Sequence, residues 1–384
     1  MKIVHLCLSC FYIDGYGYQE NRLPAQHVKD GHEVTIIAST ESFDEDRKPC
    51  YLQPGDYMGT DGARVIRLPY RAGLPAALAR KARAYPGVEQ LLQQLQPDVI
   101  LFHGMCAWEL LTVARYVRQH PGVTLYVDCH EDFNNSARGW LSRQVLHGSF
   151  YRPILRSALD VIRQVLCITV ESIQFATQFY GVPQAQVELF PLAGHIHDDA
   201  DYESRRDATR RAHGVTADEV VIVQSGKITA NKLLPDALRA FIATPSTRLR
   251  LWIVGQIVDD AEECEALIAS DPRIQFLGWK SPEALEDVLC AADVFLQPAG
   301  QTATTQMSMC CRCALLVSDV PSHRALFVDN GYLINEQTTL PASLLAIARE
   351  PEALTPMKQR SLAFARQRLD YTQLARRIAA PATH

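Results

Sequence analysis

Apolar residues gather in short, near-continuous runs, and between these runs they recur every three or four positions. "KIVHLCL", "HEVTIIAS", "ARVIRLPY", "PDVILFH", "VTLYVDCH", "VLCITV" and "VELFPLAG" are the runs of the first half. Their length and density predict strands buried on both faces of a parallel sheet. Helical spacing separates them at Gln19–Lys29, in "GVEQLLQQLQ", in "WELLTVARYVRQH" and in "ESIQFATQFYG", with Gly181 as the stop of the last. Residues Asn134–Arg163 read as one long helical segment. The second half alternates in the same way: "VVIVQSG", "LRLWIVG", "IQFLGW", "DVFLQPA" and "CALLVSD" predict strands. "LLPDALRAFI", "AEECEALIAS", "PEALEDVLCAA" and "TTQMSMCC" predict helices. The polar stretch from His195 to Glu219 interrupts the alternation and is the expected domain boundary. Two doubly wound α/β domains facing a cleft follow, with two amphipathic helices after them that break near Leu369–Asp370.

Composition narrows the class. A chain of 384 residues exceeds one ordinary core, and its 47% apolar and 21% charged residues are usual for a globular protein. The net charge of −5 argues against a nucleic-acid partner. Of 11 cysteines, Cys7, Cys10, Cys167 and Cys290 sit in apolar runs, which predicts reduced thiols and a cytoplasmic location. Cys7 and Cys10 form a C-x-x-C and Cys310, Cys311 and Cys313 a cluster. Neither has the second pair that a zinc site needs, and no metal is expected. The first apolar run is too short for a signal peptide, and no window has the length and hydropathy of a membrane span.

Candidate chemistry sits where strands give way to loops. The loop with Gly15 and Gly17 lacks the third glycine of a dinucleotide fingerprint, Glu20 standing in its place, so its glycines are read as room for a sugar or phosphate. Lys227 and Lys232 flank the start of a helix and suit a diphosphate. Thr304, Thr305 and Gln306 open another helix after a strand, within "QPAGQTATTQMSMCC". His103 and His130 each end a strand, the edge where open α/β sheets bind ligands, and Glu131 and Asp132 follow His130 as ring-orienting or acid–base groups. The D-x-D form at Asp44–Asp46 reads as a solvated loop. Arg71, Arg80, Lys81 and Arg83 in one segment are interleaved with Leu and Ala. In another, Arg138, Arg143, Arg152, Arg156 and Arg163 alternate with Trp140, Phe150 and Tyr151. Both suit either solvated helix faces or an anionic membrane interface.

Taken in order, these stretches resemble the GT-B fold retaining glycosyltransferases of family 4. "DGYGYQENRLPAQHVKDGHEVTII" is similar to that family's glycine loop and "GHEVTV", and "VVIVQSGKITANKLL" to its "FVGRLVPEKG". "IQFLGWKSPEALEDVLCAADVFLQPA" is the most specific match, to "FLGFVSDEELAALYAAADVFVLPS". The resemblance implies an N-terminal acceptor-side Rossmann-like domain over residues 1–196. It implies a C-terminal nucleotide-sugar-binding domain over 197–365, and a final helix, 366–384, crossing back to the first. It places Lys227 and Lys232 on the donor diphosphate and His103 beside the donor sugar, with catalytic roles for His103, His130 and Lys232. Gly15, Gly17, Thr304, Thr305 and Gln306 complete donor binding. The family's two glutamates fall on Pro298 and Gln306, so this motif is degenerate. A metal-independent retaining transfer is implied, without cofactor, from a UDP- or GDP-sugar to a glycan or lipid-linked acceptor. Bacterial surface polysaccharide assembly, at the inner face of the membrane, is the implied setting. Two alternatives stand beside it: a non-catalytic GT-B binding partner of an active transferase, motivated by the lost glutamate pair, and a sugar-nucleotide epimerase, which would use Glu131 and Asp132 as acid and base.

Overall fold

The computed structural model describes residues 1–44, 48–73, 75–133 and 135–380. The Asp44–Asp46 motif falls largely outside them. The chain forms two compact units, Met1–Pro191 joined by Tyr371–His384, and Leu192–Asp370. These divisions lie a few residues from 196/197 and 365/366. The amide of Gly194 donates to the Leu369 carbonyl at 3.1 Å and Gly194 bridges to Asp370, which keeps both connecting segments with the second unit.

In the first unit the apolar runs become β1 (Lys2–Cys7), β2 (Glu33–Ser39), β3 (Glu41–Phe43), β4 (Pro49–Tyr51), β5 (Gly55–Met58), β6 (Arg64–Leu68), β7 (Val99–Phe102), β8 (Thr124–Cys129), β9 (Ile162–Cys167) and β10 (Val187–Leu189). Eight of them form one sheet in the order β10-β9-β8-β7-β1-β2-β6-β5, parallel except for β5, while β3 and β4 pair antiparallel. The winding direction reverses between β1 and β7. The second unit holds β11 (Val220–Ile228), β12 (Leu249–Ile257), β13 (Ile274–Gly278), β14 (Val294–Gln297), β15 (Ala314–Ser318) and β16 (Gly331–Ile334). Its sheet is wholly parallel in the order β13-β12-β11-β14-β15-β16, and it reverses between β11 and β14. Ligands in such sheets lie beyond the carboxyl ends of the strands at this reversal. Residues such as Ile3, Leu6, Ile100, Phe102, Ile222, Leu251 and Phe295 have no more than a trace of exposed surface, as strands covered on both faces require.

Two expectations change. Among the described residues, 135–163 are not one helix: a π-helical stretch, Ser142–Tyr151, passes into the helix Arg152–Ala158, and β9 has begun by Ile162. The supposed boundary, His195–Glu219, is largely the helix Asp199–Ala212, capped by the Asp198 side chain on the amide of Asp201. Two of its arginines turn inward. Arg206 and Arg210 reach the carboxylate of Asp293 at 2.6 and 3.1 Å, and Lys358 joins them at 2.9 Å. Composition reads that stretch as solvated because the carboxylate that receives its arginines stands some eighty positions further on.

Three cations and the amide of Val221 outweigh the cost of burial and hold the Asp293 carboxyl well below the ordinary carboxylate range. Removing it strands those cations, so Asp293→Ala should destabilise the second unit by roughly 3–5 kcal/mol. Urea unfolding checks this. A loss under about 1 kcal/mol, the range of an exposed ion pair, would show that the network is solvated after all.

Candidate functional site

In the first unit the site grows from the ends of β1, β7 and β8. The glycine loop after β1 is tied down by a buried arginine from β6. Arg67 donates to the carbonyls of Tyr12 and Ser39 at 3.2 and 2.9 Å and to the Asp14 carboxylate at 2.8 Å. Gly15 takes a φ of 74°, with open space where a Cβ would stand, whereas Gly17 does not take a positive φ. The loop delivers the helix Gln19–Lys29, whose first residues Gln19, Glu20 and Asn21 are buried. Asn21 holds the Ile13 carbonyl at 2.9 Å. Both side-chain polar atoms of Gln19 lack a partner among the described residues. A buried amide without partners at a helix N-terminus fits a polar ligand.

After β7 and β8 stand His103 and His130, with Asp128 between them. Asp128 has no exposed surface. It bonds His103 Nδ1 at 2.6 Å through Oδ2 and accepts from the Gly104 amide at 2.6 Å through Oδ1. His130 Nε2 lies 3.4 Å from Oδ2. Gly104, at a φ of 88°, leaves no room for a Cβ, which would stand 2.6 Å from Ser9 Oγ. Burial alone would lower both imidazoles. The Asp128 carboxylate prevails and pushes His103 up to about 9. With help from Glu20 and Glu131 it pushes His130 up to about 10. His103 is fully buried and bonded through both ring nitrogens, the second to His5. The ring with an exposed portion is that of His130, 28% accessible, with Glu20 Oε1 3.9 Å away.

Beside these groups a cavity of about 580 Å³ opens, lined among others by Arg80, Lys81, Arg83, Arg138, Glu41 and Glu131. Four cations face two carboxylates. Arg83 is bound to Ser9 Oγ at 2.7 Å and to the Cys106 carbonyl at 3.1 Å.

In the second unit Lys227 is an exposed residue near the end of β11, and Lys232 is half-buried in the tight turn Ala230–Lys232 before the helix Leu234–Ile242. Burial lowers the Lys232 ammonium from its ordinary value. The Gln224 amide fixes the turn by donating to the Lys232 carbonyl at 3.1 Å. Thr302 and Thr305 form a reciprocal cap on the helix Ala303–Cys310, so Thr305 serves helix initiation, and Thr304, Thr305 and Gln306 are all buried. Gln306 has neither polar atom paired among the described residues. Gln224 Oε1, Ser225 Oγ and Gln297 Oε1 share this condition on the neighbouring strands β11 and β14. Buried amides at a sheet's reversal point that lack partners mark a polar ligand site. The signal was in the sequence, as glutamines closing apolar runs in "VVIVQS" and "VFLQ". So was that of Asp128 inside "LYVDC", the carboxylate that organises the first site.

Two family models match the chain. A glycosyl transferase 4-like domain model covers residues 15–193, and a glycosyl transferases group 1 model covers residues 219–350. The chain belongs to the GT-B glycosyltransferases of the family 4-like kind. Solved structures share the fold over nearly the whole chain at low identity. The Anabaena protein HepE, solved with UDP, is 16% identical at a TM-score of 0.65, with 99% of this chain and 98% of that one covered. WaaG, a glycosyltransferase involved in lipopolysaccharide biosynthesis, is 17% identical at 0.67, with coverage of 99% and 100%. A sucrose-phosphate synthase from Thermosynechococcus elongatus is 16% identical at 0.69, with coverage of 99% and 97%. None of the curated proteins matches the chain in sequence.

The site makes stability depend on pH from both sides. His103 and His130, raised in the folded chain, stabilise it fully below their ordinary value of 6.5. That contribution is lost as pH rises through about 9 and 10. Burial holds His27 down to about 4, so the unfolded chain takes up a proton first and stability also falls from 6.5 towards that value. Urea midpoints across this range should therefore pass through a maximum. Asp128→Asn should flatten the alkaline arm and, with burial then unopposed at His103, deepen the acid arm; an unchanged alkaline arm would remove Asp128 as its cause.

Proposed function

We propose that this GT-B glycosyltransferase moves a sugar, with retention, from a nucleotide-diphosphate sugar to an anionic glycan or lipid-linked acceptor. In this reading the second unit holds the donor. Lys227 and Lys232 meet the diphosphate together with the amides opening the helix Leu234–Ile242, and Gln306 meets the nucleotide in place of a glutamate. The observation that carries the reading is the buried Gln306 amide, unpaired at both polar atoms among the described residues, together with the unpaired side-chain oxygens of Gln224 and Gln297, at the reversal of the second sheet. UDP in HepE and UDP-glucose in a further structure of that protein lend support to a nucleotide-sugar donor.

The first unit takes the acceptor in its basic cavity. The acceptor hydroxyl attacks the anomeric carbon on the face that the diphosphate leaves. The carbon–oxygen bond to phosphate breaks as the new glycosidic bond forms, and the hydroxyl proton passes to a departing phosphate oxygen. Such a step asks the protein for charge stabilisation rather than a nucleophile or a metal. His130, protonated and part-exposed, donates to the reacting sugars, and buried His103 holds Asp128 and through it His130. Among the described residues no helix is long and apolar enough to cross a membrane. Trp140 and Leu141, however, are 72% and 69% exposed beside Arg138 and Arg143, so this face is proposed to rest on an anionic leaflet where lipid-linked acceptors lie. Assembly of a bacterial surface polysaccharide fits that placement.

Calorimetry with UDP, GDP and their sugar conjugates tests the donor side. Lys232→Ala should weaken the preferred nucleotide about 10- to 100-fold, the worth of one charged hydrogen bond. Equal binding to both proteins would take the diphosphate off Lys232, and binding to neither would turn the reading towards the non-catalytic alternative. Sedimentation with anionic vesicles tests the face: Trp140→Ala with Leu141→Ala should release the protein, and unchanged binding would discard it.

A further inference from the structure

An unbroken run of side chains leads away from Asp128 through the interior of the first unit. His103 Nε2 meets His5 Nδ1 at 3.0 Å, His5 Nε2 meets His27 Nδ1 at 3.0 Å, and His27 Nε2 meets the Ala375 carbonyl at 3.0 Å. All three rings are fully buried. With the bond from His103 to Asp128 the run has four hydrogen bonds, and each needs one proton. Three neutral imidazoles carry three. The carbonyl can only accept, so the donors must all point from Asp128's side towards Ala375, and His103 Nε2 gives its proton to His5. His103 Nδ1 can then donate to Asp128 only if the ring carries a second proton. That proton belongs to the ring and not to the carboxyl, because the Gly104 amide also donates to Asp128 and the His130 ring stands 3.4 Å from it as a charge partner.

We propose that His5 and His27 are positioning residues that, through this run ending on the last helix, lock His103 as an imidazolium against Asp128 and leave His130 as the group that exchanges a proton with the sugars. The last clause rests on the reading of His130 given above; the locking of His103 does not. The charged and titratable neighbours are few. His103 faces Asp128, His5, Cys7 and Glu20. His27 faces His5, His32 and Asp30. His130 faces Asp128, Glu20 and Glu131. Burial keeps His5 and His27 neutral, which leaves His103 as the bearer of the extra proton. In His27→Phe two bonds remain and two neutral rings satisfy them, so the extra proton is no longer demanded. Asp128 then presents its whole charge to His130.

Nitrogen-15 histidine NMR on the full chain, with rings assigned by single substitutions, reads this directly. In the wild type both nitrogens of His103 should carry protons throughout the neutral range. A bare nitrogen there would overturn the proposal, whether or not any variant folds. In His27→Phe, His103 should lose one proton, and His130 should titrate roughly one pH unit higher. The pH profile of kcat should follow it while KM stays level. A variant with the wild-type protonation of both rings would overturn the proposal, since a purely structural His27 alters stability alone. If the NMR signature is as stated but no donor supports turnover, the transferase reading fails and the relay stands.

Discussion

Burying the Asp128 carboxylate is the constraint on which the first unit's site depends. An ion of that size loses several kcal/mol of hydration in a protein interior unless donors replace the water. Two donors do so, His103 and the Gly104 amide, and the His130 ring stands beside them as a charge partner at 3.4 Å. Each sets something further. The Gly104 bond needs backbone at positive φ tight against Ser9, which shapes the loop after β7. The His103 bond fixes a ring whose other nitrogen must find a partner in the core, and so draws in His5, His27 and the last helix. The His130 contact leaves one cation at the surface of the cluster. A single buried charge thus links loop geometry, the docking of a C-terminal helix and the ionisation of the exposed imidazole.

The second unit separates its charges by edge. Asp293 stands just before β14, at the amino edge of the sheet, where Arg206, Arg210 and Lys358 saturate it. At the carboxyl edge of the same strand Gln297 has an unpaired carbonyl oxygen, and Gln224, Ser225 and Gln306 on β11 and the following helix are left short as well. Saturated polar groups stabilise a fold, and unsaturated buried ones store a cost that a ligand can relieve. The amino edge of this sheet therefore serves stability, and the carboxyl edge is the one proposed to bind. Lys232, half-buried and with its ammonium destabilised by that burial, follows the end of β11, where an anion would restore it.

Much of the architecture was legible because parallel strands covered on both faces leave dense apolar runs, and capped amphipathic helices leave a regular period. Both signals are local, and Gly181 ended its helix at the residue expected of it. The misread segments are those in which local composition disagrees with tertiary environment. Asp199–Ala212 looks like a linker because its arginines are many, yet two of them are consumed by one distant carboxylate. Residues 142–158 carry a helical period, but a π-helical stretch takes up the first part, and the chain turns into β9 sooner than periodicity suggests.

Sequence by itself determined two doubly wound domains, their family, the strand ends that bear histidines and the lysines at a helix start, because each of these is written in contiguous residues. It also held the polar residues inside apolar strands, His5, Asp128 and Gln224, without saying what they meet. Only the tertiary structure decided that. His5 and His103 are 98 positions apart, and His27 and Ala375 are 348 apart. A hydrogen bond is made at about 3 Å, and no local pattern encodes which distant groups will share that distance. The same reason separates His103 from His130: both end a strand in the sequence, and burial alone distinguishes the ring enclosed in the core from the ring that keeps a part of its surface open.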